Sequence, residues 1–225
     1  LIRICTWEDG TREIIQKSVV ENGQAYVLLD GSAKIEIVDN SKSFKDVLDN
    51  DWFKGAVDFV ASHNLFYGIS ETEFAPGMYM IRAMMVTVLY RLEGSPESDG
   101  ITAFDDVDSG AWYGKAVEWA NKSGVVKGYD DKTFGTEDEI TREQMAVMFY
   151  RYAQYAGIDT TARKDLESSY PDGKGVSEWA EEAMSWCTAV GLFRGDDTGA
   201  LNPTNNATRA EVATLFMRMV ELMVK

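Results

Sequence analysis

Three arginines recur at equivalent places in the sequence and are its strongest candidates for chemistry. Each follows a tryptophan at the same spacing, and a glycine precedes each arginine at a second constant spacing. The arginines are Arg82, Arg142 and Arg209, the tryptophans are Trp52, Trp112 and Trp179, and the glycines are Gly68, Gly128 and Gly195. A guanidinium group presents a planar fork of N–H donors that pairs with a carboxylate through two hydrogen bonds. The recurrence therefore predicts an anion-binding feature that is repeated three times.

The residues around the arginines indicate that each arginine begins a helix. Two of the segments match the capping box, in which a threonine hydroxyl and the side chain three residues later bond each other's backbone amides: Thr141-Arg142-Glu143-Gln144 and Thr208-Arg209-Ala210-Glu211. Capping accounts for the neighbours but not for the arginines, because a cation in the first turn faces the positive end of the helix dipole. A bound anion would offset this cost, since helix N-termini commonly present free amides.

An aspartate of a neighbouring repeat is the alternative partner for each arginine. The candidates are Asp46, Asp106 and Asp172, which come shortly before the first helix of each repeat and could also organise its entry turn. Ligand contact is favoured over a fixed ion pair, and both hold if the aspartate orients the arginine.

Several other recurring positions have a structural and a functional interpretation. Tyr67, Lys127 and Arg194 precede the three glycines, and the two cations suit an anionic ligand as well as they suit a solvated loop. The tryptophans head an apolar helical stripe, which favours core packing over sugar contact, although partial exposure would allow both. The glycines are expected to mark positive φ angles after the first helices.

The acidic residues do not predict a metal site, a cofactor or a catalytic centre. The cluster formed by Asp130, Asp131 and 137–139 misses the spacing of a calcium-binding EF-hand loop, which leaves calcium binding as a minor alternative. A glycosidase needs two carboxylates fixed across a cleft, which sequence alone does not exclude. A binding motif that recurs three times favours multivalent attachment over catalysis, so the chain is interpreted as a non-enzyme.

Two apolar stripes in each repeat predict a mainly α fold. Apolar or small residues recur at offsets 0, 4, 7 and 8 from each tryptophan, and at 3, 6, 7 and 10 from each arginine. Each repeat is therefore a helix, a turn-rich loop and a second helix. One such pair cannot bury both stripes, so we expect the three pairs to pack around a shared core in a pseudo-threefold bundle with grooves between neighbours.

The segment 1–42 differs from the repeats and predicts a β-hairpin. Hydrophobic alternation in 25–29 and 33–38 flanks the turn residues 30–32. This hairpin is interpreted as the remnant of a preceding β domain that leans on the first repeat, or on strands formed by 2–6 and 13–20. The predicted domains are 1–42, followed by repeats over 43–100, 101–160 and 161–225.

Composition excludes several classes of partner. The formal charge is −15, from 37 acidic and 22 basic residues, which argues against nucleic acid and against an anionic membrane surface. No apolar run in the sequence is long enough to span a bilayer, so no membrane insertion is expected. The sequence starts at Leu1 without a signal peptide, which indicates a piece of a longer chain.

These motifs together resemble the S-layer homology domain over residues 43–225. The matching segments are Phe44-Lys45-Asp46-Val47, Phe104-Asp105-Asp106-Val107 and Tyr170-Pro171-Asp172-Gly173, each followed by the tryptophan, the glycine and the arginine. The resemblance implies three repeats in a pseudo-threefold unit whose grooves bind secondary cell-wall polymer, commonly through a pyruvate ketal on N-acetylmannosamine. The ketal's carboxylate would meet the arginines, and aromatic rings would pack on the sugar.

The resemblance implies a non-catalytic anchor on the bacterial cell wall or S-layer. Its expected partners are a cell-wall polysaccharide and neighbouring S-layer proteins. The alternatives are a protein-interaction module in S-layer assembly, or an accessory domain of a cell-surface polysaccharide-degrading enzyme. The first repeat departs from the pattern, because Ile81 and Met84 replace both capping partners of Arg82, so its groove is expected to be the weakest.

Overall fold

The computed structural model describes residues 2–6, 10–29 and 31–225, and for residues 2–6 it describes the backbone. The described chain is mainly helical, as predicted, with a few short strands at its N-terminal end. The helices are α1 (Lys54–Ser62), α2 (Arg82–Leu92), α3 (Gly114–Lys122), α4 (Arg142–Tyr155), α5 (Leu166–Ser169), α6 (Glu178–Ala189) and α7 (Arg209–Val224), and a 3-10 turn covers Gly173–Gly175. The pairs α1 and α2, α3 and α4, and α6 and α7 are the predicted helix pairs.

The N-terminal strands pair differently from the predicted hairpin. They are β1 (Ile2–Thr6), β2 (Arg12–Ile14), β3 (Ser18–Glu21), β4 (Gln24–Val27) and β5 (Lys34–Val38). One antiparallel sheet has the order β2-β1-β5, and β3 pairs with β4 in a second. The predicted pairing of β4 with β5 is therefore wrong, and residue 30 of its proposed turn lies outside the described residues. The two-residue turn Asn22-Gly23, with φ angles of 51° and 77°, joins β4 to β3 instead.

The buried face of the first helices begins after the tryptophans. Trp52, Trp112 and Trp179 are 69%, 58% and 60% exposed, so their predicted packing in the core is wrong. Helices α1 and α3 begin two residues after the tryptophan, which leaves its ring outside the helical register, and Trp179 lies in the first turn of α6. The later positions of these stripes are buried where the period predicts, including Val60, Ala120 and Cys187, except that Phe59 is half-buried.

The recurring glycines are needed for space rather than for positive φ. Gly68, Gly128 and Gly195 do not adopt positive φ, so that expectation is wrong. A Cβ on Gly68 would lie 2.6 Å from the Glu73 carbonyl oxygen, and one on Gly195 would lie 2.6 Å from the Gly199 carbonyl oxygen. The left-handed residues lie four positions earlier, directly after the first helices, at Asn64, Gly124 and Gly191, with φ of 56°, 76° and 75°.

The chain divides into two compact units. The first contains Leu1–Met78, Arg91–Gly94 and Thr208–Lys225. Within it α1 packs on α7, the rings of Phe66 and Phe216 meet at 5.9 Å, and β3 also contacts α7.

The second unit contains Tyr79–Tyr90 and Ser95–Ala207. Within it α4 packs on α6, and the rings of Tyr150 and Trp186 meet at 5.7 Å. The apolar stripe of α4 is buried at each predicted position, namely Met145, Met148, Phe149 and Tyr152.

Candidate functional site

The guanidinium group of Arg82 crosses from the first repeat to backbone of the second. Its Nε donates to the Phe134 carbonyl at 2.9 Å, and its Nη2 donates to the Lys127 carbonyl at 3.1 Å. The ring centroids of Tyr129 and Phe134 lie 4.6 and 4.8 Å from its central carbon. Only 4% of Arg82 is exposed, so these contacts hold a cation that has lost most of its water.

The other two arginines make the equivalent contacts. Arg142 donates to the carbonyls of Leu201 at 2.7 Å and Arg194 at 3.3 Å, which belong to the third repeat. Arg209 donates to the carbonyls of Phe74 at 2.8 Å and Tyr67 at 2.7 Å, which belong to the first. Each arginine therefore reaches the repeat that follows its own, and the third returns to the first.

The first backbone amides of the second helices are not free. Those of Arg82 and Ala83 donate to carbonyls of the second repeat, at 2.9 and 3.2 Å. The corresponding amides of α4 and α7 do the same, with acceptors in the next repeat at Asn205, Pro203, Met78 and Pro76. The expectation that free amides would receive an anion is therefore wrong for these positions. Carbonyl groups in the loop of the next repeat accept hydrogen bonds from these amides. Their partial negative charges partly offset the positive end of the helix dipole.

The predicted capping boxes are present in α4 and α7. The Thr141 amide donates to Gln144 Oε1 at 3.3 Å, and the Thr208 amide donates to Glu211 Oε2 at 2.8 Å. In both helices the threonine hydroxyl accepts the third amide in return. These four side chains thus fix the helix starts that carry Arg142 and Arg209.

The aspartates organise the loop that receives each arginine. Asp46 accepts the amides of Phe74 and Ala75, at 2.9 and 2.7 Å. Asp106 and Asp172 bond the equivalent residues, Phe134 and Gly135, and Leu201 and Asn202. Burial raises the pKa of the Asp46 carboxyl, but the amide hydrogen bonds outweigh burial and the net pKa is lowered. In the described part of the chain, neither Arg82 nor Arg209 forms an ion pair with an aspartate.

A second set of arginines lies nine residues after the first and was not identified from the sequence. Its members are Arg91, Arg151 and Arg218, and their regular spacing from the first set was the signal available. Arg91 donates to the Leu65 carbonyl at 3.0 Å, and its guanidinium lies 4.4 Å from the Tyr67 ring centroid. Burial lowers the pKa of Arg209 to about 10, the charge of Asp46 opposes this effect, and the charge of Arg91 adds to it.

The remaining predicted site residues lie near the arginines to different degrees. The backbone carbonyls of Tyr67, Lys127 and Arg194 bind the guanidinium groups, while their side chains are exposed. The glycines that follow them let that backbone pack closely on backbone atoms two to five residues later in the same loop. Trp52, Trp112 and Trp179 make no hydrogen bond or ring contact with the three arginines anywhere in the described chain.

The acidic loops use their carboxylates in turns. Asp130 accepts the amides of Lys132 and Thr133, at 2.7 and 2.8 Å. Hydrogen bonds from Thr198 and Asn202 lower the pKa of Asp196 to about 2. No cluster of metal ligands occurs among residues whose side chains are described. None of the described helices is long and apolar enough to cross a bilayer.

Known proteins match half or more of this chain. It is 30% identical to an amylopullulanase of Thermoanaerobacterium thermosulfurigenes over 80% of the chain and 10% of that protein. It is 29% identical to exoglucanase XynX of Acetivibrio thermocellus, over 97% of the chain and 19% of that protein. A cellulosome-anchoring protein of A. thermocellus is 34% identical over 50% of the chain and 26% of that protein. The chain thus spans a small part of each of these relatives.

The family model of the S-layer homology domain matches the three repeats. Its matches cover residues 43–84, 103–146 and 169–213, which is more than half of the chain. Each match includes the aspartate, the tryptophan and the first arginine of one repeat. The chain therefore belongs to the S-layer homology domain family, as a cell-surface anchoring module of the bacterial cell wall or S-layer.

Proposed function

We propose that the chain holds an exported protein on the cell wall by binding an anionic, pyruvylated secondary cell-wall polysaccharide. The observation that carries this proposal is that buried guanidinium groups keep an N–H donor without an acceptor among the described residues. Arg82 and Arg209 each use Nε and Nη2 on backbone carbonyls, and Nη1 has no acceptor within the described chain. A buried donor without an acceptor is costly, and a carboxylate would satisfy it with a charge-assisted hydrogen bond.

The binding sites in this proposal lie where the arginine of one repeat meets the loop of the next. Each arginine donates to carbonyl groups of the following repeat, and this cyclic order supports a pseudo-threefold arrangement of repeats 43–100, 101–160 and 161–225. The segment 1–42 would be the end of a preceding β domain. The exposed tryptophans are available to pack on sugar rings, because an indole face is apolar and its N–H can donate to a hydroxyl.

The test compares binding to purified cell wall before and after removal of the polymer that is not peptidoglycan. We expect binding to be lost with the polymer, and retention on bare peptidoglycan would contradict the proposal. Calorimetry should then show much weaker binding of polymer without its acidic substituent, because charge-assisted pairs contribute about 1.5 to 3 kcal/mol. Equal binding of the neutral polymer would remove the role given to the arginines.

A second candidate is an accessory domain of a polysaccharide-degrading enzyme. Two relatives bear enzyme names, yet the chain matches only 10% and 19% of their lengths. Catalysis would then reside in another part of a longer protein, and this chain would supply attachment. Hydrolysis of xylan or starch by this chain alone would contradict that division of labour. A third candidate, docking of neighbouring S-layer proteins, predicts binding to S-layer protein in the absence of polymer.

A further inference from the structure

We propose that Arg91 is a second carboxylate-binding residue, so that an acidic sugar is held between the guanidinium groups of Arg91 and Arg209 beside Tyr67. This inference rests on the proposed function and specifies one of its sites. It lies wholly within the first unit, which contains all three residues.

Tyr67 brings the two cations together through two different groups. Its carbonyl oxygen accepts Arg209 Nη2 at 2.7 Å, and its ring stacks under the Arg91 guanidinium at 4.4 Å. Tyr67 itself is 56% exposed, whereas Arg209 is 6% exposed. The exposed tyrosine thus lies beside a desolvated cation, so a ligand from solvent can approach the cation along the tyrosine.

No carboxylate of the described chain contacts either guanidinium group. Neither forms an ion pair there, and each is buried enough that its pKa is lowered, with burial the largest cause. Their charges also repel, since Arg91 contributes to the lowered pKa of Arg209. Two adjacent cations without a contacting anion, in a chain of charge −15, are unfavourable alone and favourable around a carboxylate.

Donors remain on both groups for such a carboxylate. Arg209 engages Nε and Nη2, and Arg91 engages Nη1 on the Leu65 carbonyl. The Nη1 group of Arg209 and the Nη2 group of Arg91 have no acceptor among the described residues. A carboxylate has two oxygens, so one oxygen can accept from each arginine. The sugar that carries it would then lie along the exposed part of Tyr67.

The second repeat offers a matched comparison. Arg151 occupies the position of Arg91. Burial lowers the pKa of Arg82, and the charge of Arg151 adds a smaller effect in the same direction. Lys127 replaces Tyr67, so no ring holds Arg151, and this arginine makes no hydrogen bond or ion pair in the described chain. An arginine held in place loses less entropy on binding than a mobile one. The second arginine should therefore matter more in the first unit.

The test uses the intact chain with two probes, the pyruvate ketal of an N-acetylmannosamine glycoside and its methyl ester. Arg91→Met keeps a long apolar side chain over Tyr67 and removes the charge. We expect it to weaken binding of the acid about tenfold and to leave binding of the ester within about twofold. Arg151→Met should change the affinity for the acid by less than about threefold.

A structural role for Arg91 predicts a different result. It would weaken the acid and the ester equally, and that outcome would overturn the proposal. If Arg91→Met does not fold, Arg91→Lys keeps a charge without the planar fork, and its ratio of acid to ester affinity should fall about threefold. An unchanged ratio overturns the role of Arg91 while polymer binding by the unaltered chain still supports the proposed function. Failure of the unaltered chain to bind wall polymer rejects both.

Discussion

In each repeat, one residue of the loop between the two helices links the aspartate of that repeat to an arginine of another repeat. In the first unit, Asp46 accepts the amide of Phe74, and the carbonyl of Phe74 accepts Arg209. The same relation joins Asp106 to Arg82 through Phe134, and Asp172 to Arg142 through Leu201. The aspartate thereby fixes the position of the carbonyl that orients the cation, without touching the cation itself.

Replacing Asp46 should lower stability in a pH-dependent way. Asp46→Asn loses charge-assisted bonds to two amides, so we expect the free energy of unfolding to fall by about 1 to 2 kcal/mol at pH 7. The folded pKa of Asp46 lies below its ordinary value of 3.8. Its stabilisation is therefore present above about pH 4 and is lost as pH falls through the folded pKa.

Urea denaturation at pH 7 and pH 3 measures this effect. The difference between Asp46→Asn and the unaltered chain should shrink at the lower pH. Asp49→Asn is the control, because Asp49 is exposed and makes no hydrogen bond in the described chain. A difference that stays constant between the two pH values would show that the carboxylate charge has no part in it.

Substitution of Gly128 and of Gly55 by alanine should change the stability of the chain in opposite directions. A Cβ on Gly128 would lie 2.5 Å from Cε1 of Phe104 and 2.6 Å from the Asp130 carbonyl oxygen, so Gly128→Ala should destabilise the chain by about 2 kcal/mol. Gly55 lies in α1 with no atom within 4 Å of such a Cβ, so Gly55→Ala should stabilise it by about 0.5 to 1 kcal/mol. Thermal unfolding gives both signs, and a stabilising Gly128→Ala would refute the close-approach account.

At the scale of the helices, the hydrophobic period correctly predicted which segments form helices, but it did not predict where the first helices begin. The stripes of α4 and α7 are buried at every predicted offset, because burial of one helical face imposes that period. The exposed tryptophans show the limit of this reasoning. Trp52 and Trp112 continue the numerical pattern although their backbone lies just before the helix, and Trp179 lies in the first turn of α6, where the helix has not yet reached the core.

The sequence was sufficient to predict which residues form the candidate site, but not which groups those residues contact. Spacing alone identified the three arginines and both capping boxes, since these depend on local sequence. The acceptors of Arg209 lie 135 and 142 residues away in the chain, at Phe74 and Tyr67, and no local pattern identifies them. The strand pairing was wrong for a different reason, because the local turn Asn22-Gly23 is a stronger hairpin signal than the hydrophobic alternation in 25–29 and 33–38.

The capping boxes predict an order among the three arginines. The boxes fix the starts of α4 and α7, whereas Ile81 and Met84 offer α2 no equivalent side-chain bonds. Arg142→Ala and Arg209→Ala should therefore each reduce affinity for wall polymer more than Arg82→Ala, because a preorganised site loses less entropy on binding.

The order must be measured at constant stability, since each arginine also ties two repeats together. Calorimetry on variants shown to be folded by circular dichroism provides this comparison. The carbonyl and ring contacts of Arg82 are as numerous as those of Arg209. If Arg82→Ala is the most damaging folded variant, those contacts rather than the caps determine which site is strongest.

For the whole molecule, the sign of the net charge opposes the charge of the proposed ligand. The chain carries −15, while the arginines form small cationic sites within it. Long-range repulsion acts before contact and is screened by salt, with a Debye length of about 30 Å at 0.01 M and about 10 Å at 0.1 M. The pairs formed after contact are desolvated and are screened much less.

Salt should therefore speed the association of the chain with acidic wall polymer. Surface plasmon resonance between about 0.02 and about 0.15 M NaCl should show an association rate constant that rises several-fold, because screening removes the repulsion between like net charges. The dissociation rate constant should change by less than about twofold, since the arginine contacts are buried. Polymer whose carboxyl groups have been reduced is the control, and its association rate should be nearly independent of salt. A rate that falls with salt for the acidic polymer would mean that exposed cations, such as Lys127 and Arg194, guide the encounter rather than the net charge of the chain.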